Sequence, residues 1–134
     1  MNETISEIII ELYKNPINKG KIEEADIIAE GGNPVCGDQG KVYLKIEDDK
    51  IKEAKFLARG CAISIASMSI LTELIKNKTL KETLEIKPET LFKELGNIIQ
   101  TRQKCALLSL TIIKEGIKEY MKNKKKVEIK GIKI

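Results

Sequence analysis

The chain has 134 residues, 42% apolar and 33% charged, with a net charge of +4 and no histidine. That length fits a single domain, read here as residues 1–134, and burial at this size reaches about two-thirds of the unfolded surface, so folding needs neither a disulfide nor a metal. The balance excludes a disordered chain; no run is apolar enough to span a membrane; and few aromatics beside dispersed lysines argue against nucleic-acid binding.

Met1-Asn2-Glu3-Thr4 has no basic leader character, so a cytoplasmic protein is expected. Thr4-Ile5-Ser6-Glu7 has the form of a capping box, and Ile5, Ile8, Ile9 and Leu12 follow helical spacing. Asn15-Pro16 ends that helix. Residues 25–30 read as a strand, and Gly31-Gly32-Asn33-Pro34 as a loop. Residues 41–47 alternate, with Val42, Leu44 and Ile46 on one face. Asp48-Asp49 turns the chain, and residues 52–58 return with Ala54, Phe56 and Ala58 facing one way. Three antiparallel strands are therefore expected.

Gly60-Cys61-Ala62 breaks the strand pattern, and a helix follows over residues 63–76, with Ile63, Ala66, Ile70 and Leu74 on one side. Thr79-Leu80-Lys81-Glu82 is a second capping box. Pro88 opens a further helix that stops at Gly96. Thr101 is expected to cap the last long helix, whose buried stripe is Ala106, Leu110, Ile113, Ile117 and Met121. Lys122 and Lys124 to Lys126 form a solvated basic run, and residues 127–134 read as a tail or an added edge strand. The fold class expected is α+β, a small three-stranded antiparallel sheet with helices packed on one face.

Three cysteines are an odd number, and a reducing compartment keeps them as thiols. Cys36 lies in a Pro/Gly loop two residues before Asp38, and Cys61 and Cys105 fall at predicted helix N-termini, where the positive end of the helix favours thiolate. Arg102 and Lys104 flank Cys105 and act the same way. Three sulfurs and one carboxylate form a plausible set for zinc or an iron–sulfur cluster. The hard carboxylate suits a site that is filled and then emptied. Spacing alone does not make the site: 24 residues separate Cys36 from Cys61, 43 separate Cys61 from Cys105, and taken singly each cysteine reads as a small buried hydrophobe. Asp38 taken singly reads as a turn residue.

Asn33-Pro34-Val35-Cys36-Gly37-Asp38, Gly60-Cys61-Ala62-Ile63-Ser64-Ile65-Ala66-Ser67-Met68-Ser69, Arg102-Gln103-Lys104-Cys105-Ala106 and Asn15-Pro16-Ile17-Asn18-Lys19-Gly20 together resemble, in order, the motifs of the U-type iron–sulfur cluster scaffold family, which comprises IscU, SufU and the N-terminal domain of NifU. The resemblance implies a SufE/NifU-like fold. It implies a scaffold that takes sulfur as persulfide from a cysteine desulfurase, builds a [2Fe-2S] cluster on Cys36, Asp38, Cys61 and Cys105, and passes it to acceptor apo-proteins. Cys105 and Cys36 are the candidate persulfide acceptors, Asp38 the labile ligand, and Arg102 and Lys104 supporting charges around the ligands. SufU-type members instead hold zinc through the same four residues and act as sulfurtransferases, the one sense in which such a protein is an enzyme. Lys104 stands where IscU-type members have histidine, and residues 97–103 lack their Leu-Pro-Pro-Val-Lys motif, so binding of the specialised Hsp70 chaperone is not expected. The 43-residue gap before Cys105 is too short for the SufU insertion, and Leu12 stands near the usual N-terminal histidine.

Overall fold

The computed structural model describes residues 6–35, 37–96 and 98–134. Side-chain alternation builds the sheet. In β1 (Ile27–Asn33) every second residue is buried, and β2 (Asp38–Glu47) and β3 (Lys50–Arg59) form the expected hairpin. Asp48 and Asp49 both take positive φ at its turn, the twist that matches paired strands. Val42, Leu44, Ala54 and Phe56 are buried as the alternation requires, and Ile46 and Ala58 are half-buried.

The sheet has four strands rather than three, in the order β3-β2-β1-β4. The added edge is β4 (Val127–Lys133), which runs parallel to β1 from Ile27 opposite Val127 to Gly32 opposite Lys133. Its pattern is mostly exposed, as suits an edge, so local periodicity gave it little signal. The register shifts between Ala29 and Gly31. A Cβ on Gly31 would lie 2.8 Å from Ile132 Cβ, so the close approach of β4 needs glycine there.

Helices α1 (Glu7–Lys14), α2 (Ala62–Leu74), α3 (Leu80–Leu84), α4 (Pro88–Glu94) and α5 (Gln103–Asn123) complete the chain. Helix α5 packs on β1, β2 and β4, α2 packs on β3 and α5, and α1 lies against α2. Helix α2 is buried well beyond one stripe: Ile63, Ser64, Ala66, Ser67, Met68, Ser69, Leu71 and Thr72 are all buried, whereas Ile70 and Leu74 are only half-buried. Burial of Ser67 and Thr72 is tolerated because they return their hydroxyls to backbone carbonyls of the preceding turn. In α5, Gly116 lets the helix close on the sheet, since a Cβ there would lie 2.8 Å from Ile27 Cγ2.

Helix ends follow the sequence in part. Thr79 and Glu82 form the complete capping box, and Pro88 opens α4. The first cap is Ser6, whose Oγ accepts from Ile9 N; Thr4 and Ile5 lie outside the described residues. Thr101 does not cap α5. It sits in a 3-10 turn (Gln100–Arg102), and Arg102 is the residue before the helix. Of the predicted α5 stripe, Ala106, Leu110, Ile113 and Ile117 are buried, but Met121 near the helix end is 42% exposed.

Candidate metal centre

Sheet register and two helix starts bring the candidate ligands together. Asp38 opens β2 opposite Asn33, the last residue of β1. The next β2 residue, Gln39, pairs with Arg59 at the end of β3, so the chain leaving β3 passes beside Asp38. Gly60 makes that passage, with φ +145. A Cβ there would overlap Asp38 Oδ1 and stand 2.7 Å from Asp38 Cγ, so only glycine leaves room for the carboxylate. Cys61 follows as the residue that opens α2, and Cys105 lies in the first turn of α5.

One ligand atom from each of Asp38, Cys61 and Cys105 lies within 4.8 Å of the other two. Sulfurs on a tetrahedral zinc stand about 3.8 Å apart, given Zn–S bonds of ~2.3 Å, so the donors are near the spacing a bound metal requires. Asp38 is 2% exposed and Cys105 7%, while Cys61 is half-buried. The donor set, two soft sulfurs and a hard oxygen, fits zinc or iron.

A carboxylate this deep must be hydrogen-bonded. Asp38 Oδ1 accepts from Cys61 N at 3.0 Å, and Asp38 Oδ2 accepts from Ser64 Oγ at 2.5 Å and from Cys61 Sγ at 3.6 Å. Ser64 Oγ also lies 3.5 Å from Cys61 Sγ and 3.2 Å from the Cys105 carbonyl oxygen. The hairpin loop is held from below: Asn33 Oδ1 accepts from Val35 N at 3.0 Å, and Asn33 O accepts from Gly37 N at 2.8 Å. The turn-forming side chain is thus Asn33, while Asp38 points its carboxylate at Cys61 and Ser64. Gly37 has φ +80, and Val35 is 90% exposed at the loop tip. Between this loop and β4 runs a cleft of about 560 Å³, bordered by Pro34, Asp38 and Lys133.

Three of the four expected ligands therefore meet. The fourth, Cys36, lies outside the described residues. Arg102 and Lys104 have exposed side chains at the start of α5. The sequence reading missed Ser64, Gly60 and Asn33 as parts of the site. Ser64 was findable from spacing, because it follows Cys61 by three residues and so shares its side of the helix start. Asn33 was findable too, since its side chain accepts from an N–H two residues on, a local turn pattern; Gly60 gave no such signal, because its role depends on which strand ends lie side by side.

The sequence pattern of the NifU-like N terminal domain matches residues 4–127. The iron-sulfur cluster assembly scaffold protein IscU 1 of Archaeoglobus fulgidus is 36% identical over 123 residues, which cover 92% of this chain and 80% of that protein. The zinc-dependent sulfurtransferase SufU of Bacillus subtilis is 32% identical over 131 residues, covering 83% of this chain and 87% of that protein. Among solved structures, FiSufU from Fervidobacterium islandicum AW-1 superposes with a TM-score of 0.74 at 30% identity, over 85% of this chain and 96% of that one. A fold likeness extends to the N-terminal part of a NifU-like protein of Brucella abortus, with a TM-score of 0.73 at 20% identity, over 87% of this chain and 94% of that one. With its sheet, its helices and its clustered Asp38, Cys61 and Cys105, the chain belongs to the NifU-like N-terminal domain family, that of the U-type scaffolds.

Proposed function

We propose that this chain is a scaffold for iron–sulfur cluster assembly, which accepts sulfur from a cysteine desulfurase, holds a [2Fe-2S] cluster on Cys36, Asp38, Cys61 and Cys105, and passes it to acceptor apo-proteins. The reading rests above all on one observation, the convergence of Asp38, Cys61 and Cys105 within 4.8 Å from three separate chain segments. Packing alone does not require a buried carboxylate beside two sulfurs, and such a set is anionic once its thiols ionise. A metal cation compensates that charge.

Sulfur transfer needs a thiolate at the site, with Cys105 and Cys36 as candidates. The thiolate attacks the outer sulfur of the desulfurase persulfide, a new S–S bond forms, the old one breaks, and the desulfurase cysteine leaves as thiolate. Reduction of each delivered sulfur to sulfide takes two electrons from a donor outside this chain. Asp38 is the ligand that lets go, because its oxygen binds a soft, sulfur-rich centre less strongly than a thiolate does. Arg102 and Lys104 carry positive charge at the Cys105 end of the site. The chemistry requires reduced thiols, which suits the cytoplasm, and among the described residues no helix is long and apolar enough to cross a membrane.

A second reading is favoured by the likeness to the Bacillus subtilis protein: the same residues would hold zinc, and the chain would act as a sulfur acceptor without building a cluster. Anaerobic purification followed by metal analysis, then incubation with a desulfurase, cysteine and ferrous iron, separates the two. The scaffold reading expects sulfur-to-iron charge-transfer absorption. Zinc that stays bound, with no such bands, replaces it with the second reading.

A further inference from the structure

We infer that Ser64 is a positioning residue that draws the Asp38 carboxylate away from a bound metal and thereby speeds the metal's release. The inference deepens the ligand reading above and rests on it.

Ser64 is 3% exposed and sits in the first turn of α2, three residues after Cys61. Its hydroxyl has one proton and three nearby acceptors: Asp38 Oδ2 at 2.5 Å, the Cys105 carbonyl at 3.2 Å and Cys61 Sγ at 3.5 Å. It donates to one of them at a time, and the carboxylate is both the nearest and the only charged oxygen. Asp38 Oδ2 also lies 3.6 Å from Cys61 Sγ, while Oδ1 accepts from the Cys61 N–H. A metal shared by Cys61 and Asp38 thus competes with the Ser64 hydroxyl for Oδ2.

The cost of that competition is small in either direction. When a metal takes Oδ2, the hydroxyl turns to the Cys105 carbonyl, so its buried O–H keeps a partner. When the metal leaves, the hydroxyl returns to the carboxylate and shields a charge that would otherwise be costly to bury. Ser64 therefore has two satisfied positions, one with Asp38 coordinating and one with Asp38 held. A ligand with a ready resting place detaches more easily than one without.

The test loads Zn²⁺ onto wild type, Ser64→Ala, Asp38→Ala and the double variant, and follows transfer to excess chromophoric chelator. Ser64→Ala is expected to release zinc about 3- to 10-fold more slowly, the size of one net hydrogen bond. In the Asp38→Ala background, the same change is expected to leave the rate within about twofold, because the effect passes through the carboxylate. Bound Co²⁺ gives a second readout: its d–d absorption is expected to strengthen in Ser64→Ala, as the carboxylate closes a four-ligand tetrahedron. Alanine is a strong helix former and smaller than serine, so far-UV circular dichroism is expected to match wild type, while the metal-free variant is expected to unfold at a lower temperature because the buried carboxylate has lost the hydroxyl. Release at an equal or faster rate in Ser64→Ala overturns the inference, as does equal slowing in both backgrounds. If wild type binds zinc but Ser64 has no effect, only the inference falls; if wild type binds neither zinc nor cobalt, the ligand reading falls and takes the inference with it.

Discussion

The two ends of α2 carry polar clusters of opposite character. At the C-terminal end, Asn18 Nδ2 donates to Thr72 Oγ1 at 3.1 Å and to Glu73 Oε1 at 3.2 Å, and Lys76 Nζ reaches Asn18 Oδ1 at 2.6 Å and Glu73 Oε1 at 3.0 Å. The Glu73 side chain is 57% exposed, and its carboxyl is held below the usual 4.5 by the Lys76 hydrogen bond first and Asn18 second. Every charge there has a partner of its own, and the cluster ties the loop around Asn18 to the helix. At the N-terminal end the carboxylate of Asp38 is buried, accepts from the Cys61 N–H and the Ser64 hydroxyl, and is set beside two sulfurs. One end is a brace and the other is the candidate centre. Burial and the company of thiols make the difference, since both ends contain a carboxylate.

The contrast predicts that damage separates by end. Gly60→Ala pushes a methyl into Asp38 Oδ1 on a backbone that side chains rarely adopt. It is expected to weaken zinc binding about 10- to 100-fold, as loss of the support around a metal ligand does elsewhere, measured by chelator competition. Unchanged affinity would mean that Asp38 does not need its present position. Asn18→Ala strikes the other end. It removes three side-chain contacts and leaves alanine at φ 65, for an expected loss of about 2 kcal/mol in denaturant unfolding with zinc affinity unchanged. A drop in zinc affinity alongside would show that the two ends are coupled through α2. The smallest effect belongs to Glu73→Gln, under about 0.5 kcal/mol at neutral pH, because an exposed pair is screened. Its sign is definite: a carboxyl whose folded pKa is lowered contributes stability above 4.5 and loses it as pH falls through the folded value. The variant should therefore lie below wild type by that small amount above pH 4.5 and converge with it as the pH falls through the folded value.

The hairpin of β2 and β3, the Thr79 capping box and Pro88 at the start of α4 were all legible, because each depends on neighbours within a few residues. Strand β4 was less so, since parallel pairing with β1 is a contact across almost the whole chain. Helix α2 misled in detail. Its single apolar stripe described a surface helix, yet it is buried on several sides, with serine and threonine hydroxyls folded back onto its own carbonyls.

For the candidate centre, residue chemistry offered Cys36, Asp38, Cys61 and Cys105 as possible donors, the family resemblance joined them into one set, and Cys61 and Cys105 do stand at helix starts, a local property of Gly60-Cys61-Ala62 and of the α5 opening. Residue chemistry alone could not bring them together, because no spacing in the chain encodes a meeting of residues so far apart. Tertiary structure decided that, through the register of β2 on β3 and the absence of a side chain at Gly60. It also decided the role of Ser64, one serine among several in α2 until the fold aims its hydroxyl at a buried carboxylate. Donor chemistry is written in side chains, which the sequence states outright; donor geometry depends on packing between distant segments, which exists only once the chain has folded.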